Sequence, residues 1–166
     1  MPSHIVPLVG QKLTWGCWAA GLAMMDSWRS GKAASIDSTL QRFGPVYVAA
    51  YAANKGLNTA QLPAALTAMG LKIEPPANPT ASKWLQLIGD SPLFVVVDEN
   101  PHPGKFAVHA RVVFDIKTDA ANTVSFNDPA DNSLTGGIKS QPLSDFVRDY
   151  EQLACSNLAG LQIINF

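Results

Sequence analysis

Apolar positions in the first half of the chain recur at helical spacing. Trp18, Ala19, Ala20, Leu22, Ala23, Met24 and Met25 leave almost no polar face, which predicts a buried helix from Cys17 to Arg29 with Gly31 as its stop. Ahead of it, Pro2, Pro7 and Gly10 discourage helix and make residues 1–16 an extended arm, whose Val6, Leu8 and Val9 are apolar enough to pack on the core. Ser35 or Asp37 caps a second helix that runs to Phe43, and Gly44-Pro45 breaks it. Val46 to Ala53 reads as a third helix. Thr59 caps a fourth, in which Leu62, Ala65, Leu66 and Met69 keep the helical spacing up to Gly70. Pro75-Pro76-Ala77-Asn78-Pro79 is a rigid connector, and Ser82 to Ile88 is one more short helix.

Beyond residue 90 the period changes. Leu93-Phe94-Val95-Val96-Val97 is an unbroken β-prone run, the pattern of a strand covered on both faces. Asn100 to Gly104 is a turn. From Phe106 to Ile116 the residues alternate: Phe106, Val108, Ala110, Val112, Phe114 and Ile116 share one face, and His109, Arg111 and Val113 the other. A loop at Asp119–Asn122 leads to a strand at Thr123–Phe126, which Asp128-Pro129 ends because proline lacks a donor for the ladder. Asn132 to Gly137 reads as loop, Leu143 to Tyr150 as a helix capped by Ser140 or Gln141, and Leu161 to Ile164 as the last strand. Helices first and strands afterwards predict an α+β fold in one domain over residues 1–166.

Composition narrows the function. With 47% hydrophobic and 15% charged residues the chain can bury a core. A net charge of −1 offers no electrostatic hold on nucleic acid or a membrane surface, and neither is expected as a partner. No apolar run approaches the roughly 20 residues of a membrane span. The first residues show no basic region followed by an apolar one, so the chain is expected to be cytoplasmic as synthesised, with export by a machine that needs no cleavable signal left open. Two cysteines, Cys17 and Cys155, make no disulfide framework, and Cys155 reads as a small core residue.

Chemistry concentrates at Cys17. It stands where a loop meets an apolar helix, and a thiolate there gains from unpaired N–H groups and the helix dipole. His109, alone among the three histidines, lies within a strongly patterned strand, while His4 and His102 fall in a tail and a turn. An imidazolium beside the cysteine would stabilise the thiolate, protonate a leaving group and later activate water. Its ring needs an acceptor, and Asp128 or Asn127 lies just across the predicted hairpin. Alternation places these two on opposite faces; Asp128 is preferred and Asn127 remains its rival.

Gln11-x5-Cys17-Trp18-Ala19, followed by His109 and then Asn127-Asp128-Pro129, resembles papain-like cysteine peptidases. The resemblance is to the compact bacterial members, effector peptidases and bacteriocin-leader peptidases. It implies a helical half, led by the Cys17 helix, packed on an antiparallel sheet that carries His109 and Asp128. It implies a catalytic group of Cys17, His109, Asp128 and Gln11, with the Gln11 amide and the Cys17 backbone N–H binding the oxyanion. Thr14 stands where plant and lysosomal members carry a disulfide-forming cysteine, which points away from that secreted subgroup. The implied activity is peptide-bond hydrolysis through an acyl-enzyme, in an effector or toxin, with no cofactor or metal. The implied partners are a protein or peptide substrate and a cognate inhibitor or immunity protein. A cell-wall cysteine amidase and a catalytically inactive binding module of the same fold are the rival readings.

Overall fold

The two periods are realised as a sheet with helices on both faces. The computed structural model describes residues 4–57, 60–99, 107–154 and 162–166. The elements run, in chain order, α1 (Cys17–Ser30), α2 (Ile36–Phe43), α3 (Pro45–Ala52), α4 (Gln61–Met69), β1 (Lys72–Ile73), α5 (Ala81–Asp90), β2 (Leu93–Asp98), β3 (Val108–Ile116), β4 (Thr123–Asp128), α6 (Asp131–Leu134), β5 (Gly137–Pro142), α7 (Leu143–Ala154) and β6 (Ile163–Asn165). The strand order is β1-β6-β2-β3-β4-β5, and every neighbouring pair is antiparallel. No described helix is long and apolar enough to cross a membrane.

On one face, α1 lies in a core with Phe94 and Val96 of β2 and Ala110 and Val112 of β3, joined by Leu40 of α2, Tyr47 of α3 and Leu66 of α4. The small residues of α1 make the close approach. A Cβ on Gly21 would stand 2.5 Å from the Phe94 ring, so glycine sets how near the helix comes to β2. The helix ends at Gly31, whose φ of 65° is left-handed. Of the two caps expected for α2, Ser35 makes it: Ser35 and Ser38 form a reciprocal capping box.

The opposite face is also covered. Trp84, Leu87 and Ile88 of α5 and Phe146 and Tyr150 of α7 pack with Val95, Val97, Val113, Val124 and Phe126. All six residues of β2 are buried, which accounts for its continuous apolar run.

Several expectations are corrected. The alternation along β3 is interrupted by a register shift between Val113 and Asp115, so Ile116 joins Val113 in the second core instead of facing α1 with Val112. The stretch expected to be loop from Asn132 to Gly137 contains α6 and the start of β5. Ser140 and Gln141 do not cap α7. They lie inside β5, where the Ser140 hydroxyl bonds that of Ser125, and the helix follows Pro142 directly. The expected cap Thr59, the Asn100–Gly104 turn with His102, the strand starts at Phe106 and Leu161, and Cys155 lie outside the described residues.

The N-terminal arm is tied to the sheet through its backbone. His4 N–H donates to the Phe114 carbonyl (2.9 Å), Gln11 N–H to that of Pro129 (2.9 Å) and Lys12 N–H to that of Leu134 (3.1 Å). Gly10 is required by close approach, since a Cβ there would meet the Thr135 carbonyl oxygen at 2.3 Å.

Candidate active site

Cys17 is the first residue of α1, half-buried, with a free thiol. Gly16 precedes it, supplies no side-chain cap, and is followed by no acidic residue in the first turn. The first N–H groups of a helix have no intrahelical partner, so this end presents donors and the positive end of the dipole at the thiol. A side chain at Gly16 is excluded, because a Cβ would lie 2.6 Å from the Gln11 carbonyl oxygen and 2.9 Å from the Tyr51 ring.

His109 and Cys17 line one cleft of about 230 Å³, whose remaining walls include Trp15, Trp18, Leu62, Phe94 and Val96. The buried imidazole has its Nε2 2.8 Å from Asp128 Oδ1. That leaves Nδ1 unengaged by Asp128, and Cys17 lies close enough to the same imidazole to raise its pKa. Burial pushes the His109 pKa down, but the hydrogen bonds to Asp128 and Cys17, with the Cys17 and Glu99 charges, outweigh it and raise it from 6.5 to about 9. Burial likewise pushes the Asp128 carboxyl up, and the bonds from His109 and Lys139 overcome this and hold it well below the usual carboxylate range.

The strand register explains why Asp128, and not Asn127, meets His109. Val112 pairs with Asn127 and Val113 with Phe126. Asp128, two residues past Phe126, therefore shares a face with Arg111 and His109. Asn127 points the other way, is fully buried, and donates from Nδ2 to the Val6 carbonyl at 3.1 Å, holding down the arm.

Gln11 is buried in the loop before α1. Its Nε2 donates to the Thr14 carbonyl at 2.9 Å, Oε1 has no hydrogen-bond partner among the described residues, and its own carbonyl accepts from the Tyr51 hydroxyl at 2.9 Å. One amide proton of Nε2 is thus engaged and the second is left over. Trp18 packs edge-on against Tyr51 and donates Nε1 to the Lys55 carbonyl, while half-exposed Trp15 forms one wall of the cleft.

Three charged residues around this group were missed in the sequence. Glu99 Oε1 is 3.7 Å from His109 Nε2 and 2.9 Å from Arg111, and Lys139 Nζ is 2.8 Å from Asp128 Oδ2. Only Arg111 carried a signal, by alternation with His109 along β3. Ligand atoms of Glu99, His109 and Asp128 all lie within 4.8 Å of one another, a spacing that suits a metal ion. Each carboxylate already faces a protein cation, Arg111 or Lys139, and a bound metal ion would have to share that space with them. The arrangement is therefore an ion-pair network in which positive and negative groups alternate.

No curated protein and no solved structure matched the chain. A family model described as papain-like cysteine protease AvrRpt2 matched residues 3–151. The chain thus belongs to the papain-like cysteine proteases of the family typified by AvrRpt2, a bacterial effector.

Proposed function

We propose that residues 1–166 form one peptidase domain that cleaves peptide bonds through an acyl-enzyme on Cys17, with His109 as acid and base and Asp128 orienting it. The observation that carries this reading is the buried His109, bonded to Asp128 and close to Cys17 at the start of α1. The Cys17 thiolate attacks the carbonyl carbon, and the charge on oxygen is met by the Cys17 N–H and the remaining Nε2 proton of Gln11. Collapse breaks the C–N bond, and His109 gives its proton to the leaving nitrogen. Water then gives His109 a proton as it attacks the thioester. The acid is released and the thiolate–imidazolium pair returns.

The effector family supports action on proteins of a cell into which the chain is delivered. The apolar cleft walls favour a substrate with an apolar side chain near the scissile bond.

The test is cleavage of labelled casein by the wild type and by Cys17→Ala, with purified peptidoglycan as a second substrate. Casein cleavage that vanishes in the variant supports the peptidase. Turnover of peptidoglycan alone points to an amidase. Cys17 alkylation by iodoacetamide no faster than that of a free thiol, with neither substrate cut, points to an inactive module.

A further inference from the structure

The Asp128 carboxylate is held on both sides. Oδ1 accepts from His109 Nε2 at 2.8 Å and from the Ala130 N–H at 3.0 Å, and Oδ2 accepts from Lys139 Nζ at 2.8 Å. Lys139 reaches it from β5, the strand paired with β4, where Asp128 is opposite Gly137. The Lys139 ammonium also lies 3.4 Å from Asp131 of α6. Its side chain is 42% exposed and that of Asp128 is 2% exposed, so the lysine closes the solvent side of a buried carboxylate.

We propose that Lys139 is a positioning residue of the peptidase site: it fixes the Asp128 carboxylate with one oxygen toward His109 and limits how firmly the imidazolium keeps its proton. This rests on the reading of Cys17, His109 and Asp128 given above. A carboxylate with a single cationic partner would concentrate its charge on the imidazolium and make it a poorer acid toward the leaving amine. A second cation on the far oxygen divides that charge and repels the proton on His109. A hydrogen bond to each oxygen also removes rotation about the carboxylate bond, which places Oδ1 for His109.

The other groups around His109 are accounted for. Cys17 faces it from α1 and Glu99 from the end of β2. Arg111 pairs with Glu99 on that side and shares its guanidinium with Asp149 behind it. Among the described residues, Lys139 and Asp131 are the charged groups on the Asp128 side. Burial pushes the Lys139 pKa down, but its bond to Asp128 outweighs this and raises it, so the ammonium persists across the range in which His109 titrates.

The experiment compares the wild type with Lys139→Met and Lys139→Gln, which remove the charge and keep much of the aliphatic stem, and with Lys139→Arg, which restores charge. Two quantities are read: the initial rate on labelled casein and the titration of the His109 imidazole followed by NMR. Both neutral variants are expected to lose about 10- to 100-fold in rate, the range for one hydrogen bond to a charged group. Their His109 pKa is expected above the wild-type value, and Lys139→Arg returns both toward wild type. A His109 pKa that is unmoved or lowered in the neutral variants overturns the proposal whatever the rate, and so does an undiminished rate. The NMR titration needs no turnover. If Cys17→Ala retained activity, the peptidase reading would fail while the His109 titration still decided the role of Lys139.

Discussion

The Gln11 N–H donates to the Pro129 carbonyl at 2.9 Å, so the residue proposed to bind the oxyanion hangs from the turn that carries Asp128. Arm, strand end and helix start are one hydrogen-bonded unit, because the Gln11 carbonyl in turn accepts from Tyr51 of α3, which packs on Trp18 of α1. Gln11→Ala should lower kcat by about 10²–10³ with KM little changed, since the amide acts on charge that develops in the transition state. Iodoacetamide alkylation of Cys17 should keep its wild-type pH profile, because Cys17 and His109 remain. An undiminished kcat would remove the oxyanion role.

Cys17→Ala should abolish turnover and leave the fold unchanged, because it removes one half-buried sulfur at a helix end. Steady-state rates and thermal unfolding of the same preparation test both halves of the statement. Residual wild-type turnover in a clean preparation would sink the mechanism.

Asp128→Ala should lower kcat by about 10- to 10⁴-fold, as expected for the group that orients a catalytic imidazole. Part of the activity should survive, because Glu99, 3.7 Å from the same nitrogen, offers a second carboxylate. Asn127→Ala should behave differently. It loses a buried hydrogen bond to the arm and should cost about 1–2 kcal/mol of stability, with a smaller effect on kcat. Kinetics and denaturant unfolding of the two variants separate the roles, and the opposite ranking would move the assignment to Asn127.

Stability should fall on both sides of neutrality. The folded pKa of His109, about 9, lies above its ordinary 6.5, so its stabilisation is complete below about 6.5 and is lost as pH rises through 9. Asp128 is depressed below its ordinary 3.8, so its contribution is complete above that value and is lost as pH falls below it. These are two views of one ion pair and count once. Thermal midpoints measured from about pH 2 to about pH 10 should show a broad maximum, and His109→Gln should flatten its alkaline side. An unchanged alkaline slope in that variant would show that other groups control it.

Gly21→Ala should destabilise by about 1–3 kcal/mol through overpacking, since its Cβ would meet the Phe94 ring at 2.5 Å. Cys17 rides on the same helix, so activity should fall by more than the unfolded fraction accounts for. Wild-type specific activity in the folded variant would show that the ring gives way without moving the helix.

Much of this was legible in the sequence, and the gaps have physical causes. The apolar run of α1, the glycine at its end and the Ser35 cap are local signals, and local signals survive without tertiary context. The reach of His109 to Asp128 depends on register, which alternation limited to two choices and only strand pairing decides. The shift after Val113 is invisible because Phe114 and Ile116 are both apolar on either reading. β5 was missed because its residues, Gly137-Ile-Lys-Ser-Gln-Pro142, lack an apolar face. It is an edge strand whose ladder with β4 supplies what its side chains do not. Lys139 was hidden with it, since a lysine in apparent loop carries no sign that it touches a buried carboxylate.

The sheet lies between two hydrophobic cores, and the groups of the proposed site come from distant parts of the chain. Gln11 and Cys17 belong to the arm and α1, and His109 and Asp128 to neighbouring strands of the sheet. β2, β3 and β4 follow one another along the chain, whereas α1 meets β2 and β3 across the intervening α2 to α5. An unfolded chain therefore keeps the Cys17 thiol and the His109 imidazole apart, and the two line one cleft only once α1 is seated on the sheet. On the peptidase reading proposed above, folding is thus the step that arms the chain.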